Sequence, residues 1–387
     1  MRVTHIITRL VIGGAQENTV ATVLGLREKS DVQVDLISGP TVGPEGSMED
    51  ALEGRQELIR VPSLVRPIHP WNDVRALFEL TSLLCGMHSD IVHTHSGKAG
   101  ILGRLAAQRA GIPVVIHHIH GPSFGRFQNA ASNAIFRATE RYAGKATTHF
   151  LCSAQAMARL YLEAGIGTPQ MYTRVFSGFK VEPFLQAKND PALRRKLGLP
   201  EGAFVIGKIG RLVPLKGHAD LLAAARDFIK DQPNSRLLFV GEGSLRSELE
   251  GLAQSYGLRD KVIFTGLLLP SEVPAYVGIM DCLAHLSYRE AVSRALPQAL
   301  AAGKPVIAYD FDGADEVCLP NETGFLVRTG DIASVTEHLA VLAGDASLRT
   351  RLGARGRDLV AKEFRVEDMV EKIYRLYLRL RHDSTSG

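Results

Sequence analysis

Short apolar runs alternate with amphipathic segments along the whole chain. In residues 1–180 the runs VTHIIT, DVQVDLIS, DIVHTH, PVVIHHIH and THFLCS have strand-like composition, and helix-like segments at 14–29, 98–110 and 127–143 separate them. This alternation predicts a parallel, doubly wound α/β sheet. After residue 203 it resumes with FVIGKIG, RLLFVG, KVIFTG, MDCLAHLS, KPVIAYD and GFLV, so the second half predicts a sheet of its own.

A segment rich in proline, glycine and charge, residues 181–203, interrupts the strand pattern. Such segments connect domains, and a chain of 387 residues is longer than single cores usually grow. We therefore predict two α/β domains, at 1–185 and 186–365.

The last segment, residues 366–387, has a different pattern. Met369, Ile373, Leu376 and Leu380 recur at helical spacing and form one apolar stripe. The stripe predicts a helix that packs on another part of the protein. The final residues HDSTSG predict a disordered tail.

Charge is distributed unevenly, although the net charge is only +4. Residues 91–180 carry ten bases and two acids, whereas residues 1–90 carry eight bases and twelve acids. The basic block predicts either a solvated face of several helices or a surface that attracts phosphates or an anionic membrane. Nucleic acid is disfavoured as a partner because no zinc-finger, RNP or KH pattern accompanies the block.

Cysteine spacing and hydropathy restrict the class of protein further. The four cysteines show no C-x-x-C spacing, which gives no sign of a zinc site or a disulfide framework. The first residues contain no small-residue cleavage site, and no window approaches 18 apolar residues. These features predict a cytoplasmic protein that does not span a membrane.

Ligands of open α/β sheets bind beyond the carboxyl ends of the strands, so the segments that follow strands hold the candidate chemistry. Gly13 and Gly14 follow the first strand and precede a helix, where backbone N–H groups can approach a phosphate. The alternative for this pair is an ordinary strand-to-helix turn. The absence of G-x-G-x-x-G argues against a nicotinamide or flavin site.

Two cations, Arg211 and Lys216, follow the strand FVIGKIG and flank a loop that contains Pro214. Guanidinium and ammonium groups suit a diphosphate. The alternative, two surface bases near a helix start, is disfavoured because cations there oppose the helix dipole.

Histidines end two strands, His93 and His95 in one and His117, His118 and His120 in the next. Three of them could form a zinc site by residue type, but H-x-H is common by chance and a hydrogen-bonded core histidine is the usual alternative. We expect His95 and His120, the last residues of their strands, to lie in a cleft as hydrogen-bonding or acid/base groups.

A D-x-D pair, Asp310 and Asp312, follows another strand. Such a pair can hold a divalent metal ion, although turns and helix caps use the same residues more often. We favour a turn or cap because Arg211 and Lys216 can already neutralise a diphosphate.

Eight segments in sequence order resemble the retaining GT-B glycosyltransferases of glycosyltransferase family 4. They are GGAQ, DIVHTHSGKAGILGRLAA, VVIHHIHG, GRLVPLKGH, VGEGSLRSELE, VIFTG, YREAVSRALPQALAAGKPVIA and NETGFLV. The resemblance implies two Rossmann-like domains that face each other across a cleft. Residues 1–185 would bind the acceptor, residues 186–365 would bind the nucleotide sugar, and the final helix would cross back to the first domain.

The resemblance also implies the site residues. Arg211 and Lys216 would bind the donor diphosphate, Glu290 would stabilise positive charge on the transferred sugar ring, and His120 would contact that sugar. These four residues form the expected catalytic set, without a cofactor and without a metal ion. The expected donor-binding residues are Gly13, Gly14, Arg211, Lys216, Glu242, Glu290, Ala291, Val292, Ser293, Arg294 and Gln298, and the expected acceptor residues are His95 and Lys98.

The sequence departs from the family pattern in three places. Gln298 replaces the second glutamate of the family's pair, so a charge-assisted contact to ribose becomes a neutral hydrogen bond. Ala291 and Ser293 stand where glycines are common, and Arg294 stands where an aliphatic residue is usual. The hinge region at 176–184, FSGFKVEPF, lacks the usual Asn and Asp.

From the resemblance we expect a retaining transferase that moves a hexose from a nucleotide-diphospho-sugar to a glycan or lipid-linked acceptor. Synthesis of cell-envelope polysaccharide or glycolipid is the expected context, with peripheral contact at the anionic inner membrane face. Two alternatives stay open, a nucleotide-sugar 2-epimerase on the same fold and a non-catalytic nucleotide-sugar-binding subunit.

Overall fold

The computed structural model describes residues 1–42, 46–52, 58–95, 97–125 and 127–386. Its contacts divide the chain into two compact units. The first unit consists of Met1–Phe179 and Val366–Gly387, and the second unit consists of Lys180–Arg365. The boundaries drawn from sequence lie at 185/186 and 365/366. Acceptor loops are also expected from the sequence in the first unit, at 38–56 and 120–133, and parts of both lie outside the described residues.

Strands and helices alternate throughout both units. The strands are β1 (Arg2–Ile7), β2 (Gln33–Ser38), β3 (Leu58–Arg60), β4 (Ile91–His95), β5 (Val114–Ile119), β6 (His149–Cys152), β7 (Tyr172–Arg174), β8 (Phe204–Ile209), β9 (Ser235–Val240), β10 (Val262–Phe264), β11 (Cys282–His285), β12 (Val306–Asp310) and β13 (Gly324–Arg328). The helices are α1 (Gly14–Arg27), α2 (Pro70–Met87), α3 (Gly97–Arg109), α4 (Ala130–Gly144), α5 (Gln155–Glu163), α6 (Glu182–Leu185), α7 (Pro191–Lys196), α8 (His218–Asp231), α9 (Arg246–Ser255), α10 (Val273–Gly278), α11 (Ala295–Ala301), α12 (Ile332–Gly344), α13 (Ala346–Glu363) and α14 (Val366–Ser386). Every strand predicted from the sequence is present, whereas the short edge strands β3 and β7 were not predicted.

The first unit is built on a parallel sheet of seven strands in the order β3-β2-β1-β4-β5-β6-β7. Alternate side chains of each strand point to opposite faces. On β1, Val3 and Ile7 belong to a core with helices α1 and α14, while Ile6 belongs to a second core with α2 and α3. Both faces are therefore covered, which explains why these strands read as continuous apolar runs.

Helix α14 completes the first of these cores. Met369, Ile373, Leu376 and Leu380 are all buried there, as their spacing predicts, and they pack with Val23 of α1. The helix continues to Ser386, so the prediction of a disordered tail from His382 was wrong. The segment contains no glycine or proline before Gly387, and nothing in its sequence breaks the helix.

The second unit is built on a parallel sheet of six strands in the order β10-β9-β8-β11-β12-β13. One large apolar core joins this sheet to helices α8, α9, α12 and α13, with Leu221, Phe228 and Leu339 among its buried residues. Among the described residues, no helix is both long and apolar enough to cross a lipid bilayer.

Candidate active site

Each sheet has a point where the strand order reverses, and ligands of open α/β sheets bind beside that point. In the second unit it lies between β8 and β11, which are neighbours in the sheet although they are distant in sequence. The loop that follows β8 carries Arg211 and Lys216, and the loop that follows β11 carries Glu290. Strand order alone therefore brings these predicted residues to one edge of the sheet.

Lys216 and Glu290 form an ion pair at this edge. The ammonium group donates a hydrogen bond to Oε1 of the carboxylate. The Lys216 side chain is 21% exposed and that of Glu290 is 27% exposed, so solvent and ligands can reach both groups. The contact brings together two residues of the expected catalytic set, and their roles stay predictions.

Backbone contacts hold the Lys216 loop against the loop that follows β11. Leu215 has a left-handed backbone with φ 69°, and its carbonyl accepts hydrogen bonds from the Tyr288 N–H at 2.9 Å and the Ser287 hydroxyl at 3.1 Å. Gly217 has φ 65°, and a Cβ added there would lie 1.8 Å from the Leu286 carbonyl oxygen. Only glycine fits at this position, so the close approach of the two loops depends on it.

Asp312, in the turn after β12, binds the backbone of Glu290. Its Oδ2 accepts a hydrogen bond from the Glu290 N–H at 2.9 Å, and its backbone is left-handed with φ 52°. This is a turn role, as favoured for the D-x-D pair, while Asp310 is exposed at the end of β12. Burial raises the pKa of Asp312 to about 6.

A small hollow beside the ion pair contains several predicted residues. Its lining comprises Glu290, Ala291 and Ser293 together with His285, Ser287, Leu296, Tyr309, Phe311 and Ala314. His285 ends β11 and is buried, and its Nε2 lies 4.0 Å from Oε1 of Glu290. Neither ring nitrogen of His285 has a hydrogen-bond partner among the residues that the structure describes. Burial holds the pKa of His285 well below its usual value, so the ring is neutral.

Lys208 is a buried amine below the ion pair that was not among the predicted site residues. It lies on β8 and is 1% exposed. Its pKa is lowered to about 7, mainly by burial and also by the charge of Lys216, while Asp220 and Glu290 oppose the change. A lysine inside the apolar run FVIGKIG is out of place in a buried parallel strand, and this signal could have identified it from the sequence.

The other expected donor residues lie around the same loops. Arg211 is exposed at the start of the Lys216 loop. Glu242 follows β9, forms a 3.1 Å ion pair with Arg246, and its carbonyl accepts from the Leu212 N–H at 2.9 Å. The remaining three, Val292, Arg294 and Gln298, are half-buried in or just before α11, which begins at Ala295.

In the first unit, the strand order reverses between β1 and β4. Gly13 and Gly14 follow β1 and begin helix α1. The backbone of Gly13 is extended, with φ 171°, a conformation open to any residue. The turn itself therefore does not require glycine at position 13. The other role predicted for Gly13, to let a phosphate approach the backbone closely, stays a prediction.

Lys98 already has anionic and carbonyl partners. Its Nζ donates to Oδ1 of Asp73 at 2.5 Å and to the Pro67 carbonyl, and its side chain is 12% exposed. An acceptor contact of Lys98 remains a prediction, and a ligand there would have to share the ammonium with Asp73.

The strand-end histidines lie together on one face of the first sheet. Period-two alternation puts His5, His93, His95, His118 and His120 on the face that α14 covers, with His5 opposite His93 and His95 opposite His118 in the strand register. His117 points to the other face, where its Nδ1 is 3.0 Å from the Thr94 hydroxyl. His5 on β1 was not among the predicted residues.

His95 differs from its predicted setting. It is fully buried, and its Nε2 and Nδ1 are each 2.9 Å from a nitrogen of His5 and His120. A direct acceptor contact would require one of these bonds to break, so that role of His95 stays a prediction. Burial holds the pKa of His95 well below its usual value.

Within the described part of the chain, two histidine triplets each have ring nitrogens within 4.8 Å of one another: His5, His93 and His95, and His95, His118 and His120. Neutral imidazoles are zinc ligands by type. Two of the contacts within these triplets, His5–His95 and His95–His120, have N–N distances of 2.9 Å, the length of a hydrogen bond.

Comparison with known proteins gives the class of this protein. Residues 13–173 match the glycosyl transferase 4-like domain family, and residues 189–359 match the glycosyl transferases group 1 family. Together with the two parallel-sheet units, these matches define a glycosyltransferase of the GT-B fold. The chain is a glycosyltransferase family 4-like protein.

Curated relatives and solved structures agree with this assignment. The UDP-Gal:alpha-D-GlcNAc-diphosphoundecaprenol alpha-1,3-galactosyltransferase of Escherichia coli is 29% identical over 86% of each chain. The putative glycosyltransferase EpsD of Bacillus subtilis is 27% identical over 83% of this chain and 85% of that protein. Anabaena HepE in complex with UDP and glucose superposes with a TM-score of 0.81 at 20% identity, covering 97% of this chain and 99% of HepE, and therefore shares the fold.

Proposed function

We propose that the protein is a retaining, metal-independent hexosyltransferase that uses a nucleotide-diphospho-sugar and a glycan or lipid-linked acceptor. The observation that carries the proposal is the Lys216–Glu290 ion pair at the switch point of the second sheet. A cation for a diphosphate and a carboxylate for a developing sugar cation stand side by side there.

Named relatives support the donor and acceptor classes. The Escherichia coli relative is named for UDP-Gal and for a diphosphoundecaprenol acceptor, and HepE was solved with UDP and glucose. A nucleotide diphosphate bound at Arg211 and Lys216 would place its sugar beside Glu290. In this proposal the second unit, 180–365, binds the donor and the first unit binds the acceptor.

The reaction breaks the bond between the anomeric carbon of the sugar and the β-phosphate oxygen. Lys216 and Arg211 stabilise the negative charge that gathers on the departing diphosphate. Glu290 stabilises the positive charge that develops on the ring. The acceptor hydroxyl attacks the anomeric carbon from the face that the phosphate leaves and transfers its proton to a phosphate oxygen, which retains the anomeric configuration.

An exposed apolar stripe on helix α2 supports contact with a membrane. Trp71, Val74 and Phe78 of α2 and the preceding Ile68 are 75%, 52%, 69% and 73% exposed. Their spacing puts the three helix residues on one face, where Arg75 is also exposed. Exposed tryptophan and phenylalanine on one helix face are typical of helices that lie in the interface of a bilayer.

The α2 stripe lies outside residues 91–180, the basic block that the sequence indicates as a candidate membrane-binding surface. Within that block Arg104 is fully buried and paired with Glu140 at 2.6 Å, and Lys98 is paired with Asp73. The block therefore contributes fewer free surface charges than its composition indicates. We propose that the α2 stripe is the part of the first unit that binds the cytoplasmic face of the inner membrane.

The proposal is tested by incubating the protein with a panel of nucleotide sugars and a membrane extract that contains lipid-linked acceptors. Transfer with retention, unaffected by a chelator, is the expected result. An epimer formed from donor alone would favour a nucleotide-sugar 2-epimerase. Binding of a nucleotide diphosphate without turnover of any sugar would favour a non-catalytic binding subunit.

A further inference from the structure

We propose that His5, His95 and Tyr377 are positioning residues that fix the tautomer of His120, with its proton on Nε2 and Nδ1 as a hydrogen-bond acceptor. The use of His120 in sugar transfer rests on the proposed function. The arrangement that fixes its tautomer is contained within the first unit and stands on the contacts there.

The ring nitrogens form a continuous chain. Nδ1 of His5 is 2.9 Å from Nε2 of His95, and Nδ1 of His95 is 2.9 Å from Nε2 of His120. In both pairs the ring centroids are 5.2 Å apart, and the rings are inclined by only 14° and 22°. The rings therefore meet end to end through their nitrogens, which is the geometry of an imidazole hydrogen-bond chain.

The far end of the chain is a phenol on helix α14. The Tyr377 hydroxyl is 3.4 Å from Nε2 of His5 and 2.5 Å from Nδ1 of His93. Tyr377, His5, His93 and His95 are all fully buried. Solvent therefore cannot supply alternative partners for these groups.

The burial keeps the rings neutral. It lowers the pKa of His5 to about 3 and holds the pKa of His93 and His95 well below the usual value. A neutral imidazole carries one N–H and one acceptor nitrogen. In a chain of neutral rings, the direction of one hydrogen bond therefore fixes the direction of the next.

The two distances at Tyr377 select that direction. A phenol has one proton, and O–H donors make shorter hydrogen bonds than N–H donors, so we assign that proton to the shorter of the two contacts, at 2.5 Å. Tyr377 therefore donates to Nδ1 of His93 and accepts the weaker bond from Nε2 of His5.

The rest of the chain follows from that assignment. His5 has its proton on Nε2, so its Nδ1 accepts from Nε2 of His95. Nδ1 of His95 then accepts from Nε2 of His120. In the neutral form of His120, Nδ1 then carries a lone pair, which suits a hydroxyl group that donates, such as a hydroxyl of the transferred sugar. The last helix of the sequence thus determines what His120 offers to substrate.

The experiment measures the tautomer of His120 in the full chain without ligand, by NMR of protein with 15N-labelled histidine. Assignment uses His120→Gln. We expect Nε2 protonated and Nδ1 unprotonated in the wild type. In Tyr377→Phe the direction of the chain is no longer fixed, so His120 should become a mixture of tautomers, and kcat should fall about 2- to 10-fold with little change in the KM for donor.

The matched control is Tyr374→Phe. Tyr374 lies on the same helix, where its hydroxyl donates to Asp31 at 2.8 Å in an exposed position. This variant should leave both the tautomer and kcat unchanged.

Three results would overturn the proposal: a protonated Nδ1 on wild-type His120, an unchanged tautomer in Tyr377→Phe, or stoichiometric uptake of added Zn²⁺ with loss of the imidazole N–H signals. The tautomer measurement needs no substrate. If the tautomer changes as expected but no nucleotide sugar is turned over, the proposed function fails and the hydrogen-bond chain stands.

Discussion

Lys216 donates its hydrogen bond to Glu290 across 74 residues of sequence, so one charge pair joins the two loops at the switch point. Any diphosphate that binds Lys216 must share the ammonium with this carboxylate. With the proposed roles of these residues, donor affinity and sugar activation would oppose each other at one contact, and substitutions can separate them.

Replacement of Glu290 by glutamine should separate the two effects. We expect transfer to fall about 100- to 1,000-fold because the developing sugar cation loses its carboxylate. Affinity for a nucleoside diphosphate should stay the same or increase, since Lys216 no longer has a competing anion. Initial rates and calorimetric titration measure the two quantities. Glu322→Gln, in an exposed 3.1 Å pair with Arg355, is the control, and weaker diphosphate binding in Glu290→Gln would contradict the proposed sharing.

Gln298→Glu tests the most evident departure from the family pattern. A carboxylate at this half-buried position of α11 should convert a neutral hydrogen bond to ribose into a charge-assisted one and tighten nucleotide binding by up to about tenfold. Affinities for a nucleoside diphosphate and for inorganic pyrophosphate, which has no ribose, separate this effect from general charge repulsion. Equal changes for both ligands would show that Gln298 does not contact ribose.

Donor binding should be accompanied by proton uptake at Lys208. With a pKa of about 7, its amine is mostly neutral at pH 8 in the free protein. A bound diphosphate beside Lys216 raises that pKa and so favours the charged amine. Binding should therefore take up a proton, and affinity should fall as the pH rises above 7.

Calorimetry at pH 8 in two buffers of different ionisation enthalpy measures this uptake. Lys208→Met should abolish the buffer dependence, whereas Lys230→Met, at an exposed position of α8, should retain it. An equal number of protons bound by wild type and Lys208→Met would exclude Lys208 as the group that titrates.

The buried Arg104–Glu140 pair should stabilise the first unit strongly. Both side chains are fully buried, and Ser123 also donates to Glu140, at 2.9 Å. Removal of one partner leaves an uncompensated buried charge, so Arg104→Met should destabilise the unit by about 3–5 kcal/mol.

Hydrogen exchange resolved by unit measures this loss, because a chain with two units need not unfold in one step. Arg75→Met, in the exposed pair with Glu79 at 2.6 Å, is the control and should change stability by less than about 1 kcal/mol. If Arg104→Met also lowered the stability by less than about 1 kcal/mol, the interior would tolerate an unpaired Glu140.

The α2 stripe should bind anionic vesicles. Replacement of Trp71 and Phe78 by serine should reduce sedimentation with phosphatidylglycerol vesicles at least several-fold, because each aromatic side chain loses its apolar contact with lipid. Leu267→Ser with Leu269→Ser, at 51% and 61% exposed positions of the second unit, is the matched control. Equal vesicle binding by both double variants would exclude the α2 stripe, and a dimer that Trp71→Ser dissociates would identify it as a contact between copies.

Strand positions were predictable because parallel strands covered on both faces read as continuous apolar runs. The edge strands β3 and β7, LIR and YTR, each end in arginine and lack the apolar run VIF that identified the equally short β10. The grouping of Arg211, Lys216 and Glu290 followed from their places after strands, together with the family resemblance.

Other parts of the site depend on contacts between strands, which the order of residues along the chain does not contain. The spacing of His93, His95, His118 and His120 predicts a shared face, but the bonds between them require the strand register. Tyr377 lies 284 residues from His93, and no local pattern connects the two. Lys208 gave a readable signal, a charge inside an apolar strand, that the motif-based prediction did not use.

Helix α14 gives the first unit an unusual order of assembly. Val370 of this helix contacts Gly25 so closely that a Cβ there would lie 2.6 Å from its methyl carbon, and Met369 accepts from the Asn18 amide at 3.0 Å. The half of the protein that leaves the ribosome first must therefore wait for the final residues to cover helix α1. All helices and strands of the second unit, residues 180–365, are synthesised before helix α14. During synthesis the second unit can therefore finish folding before the first.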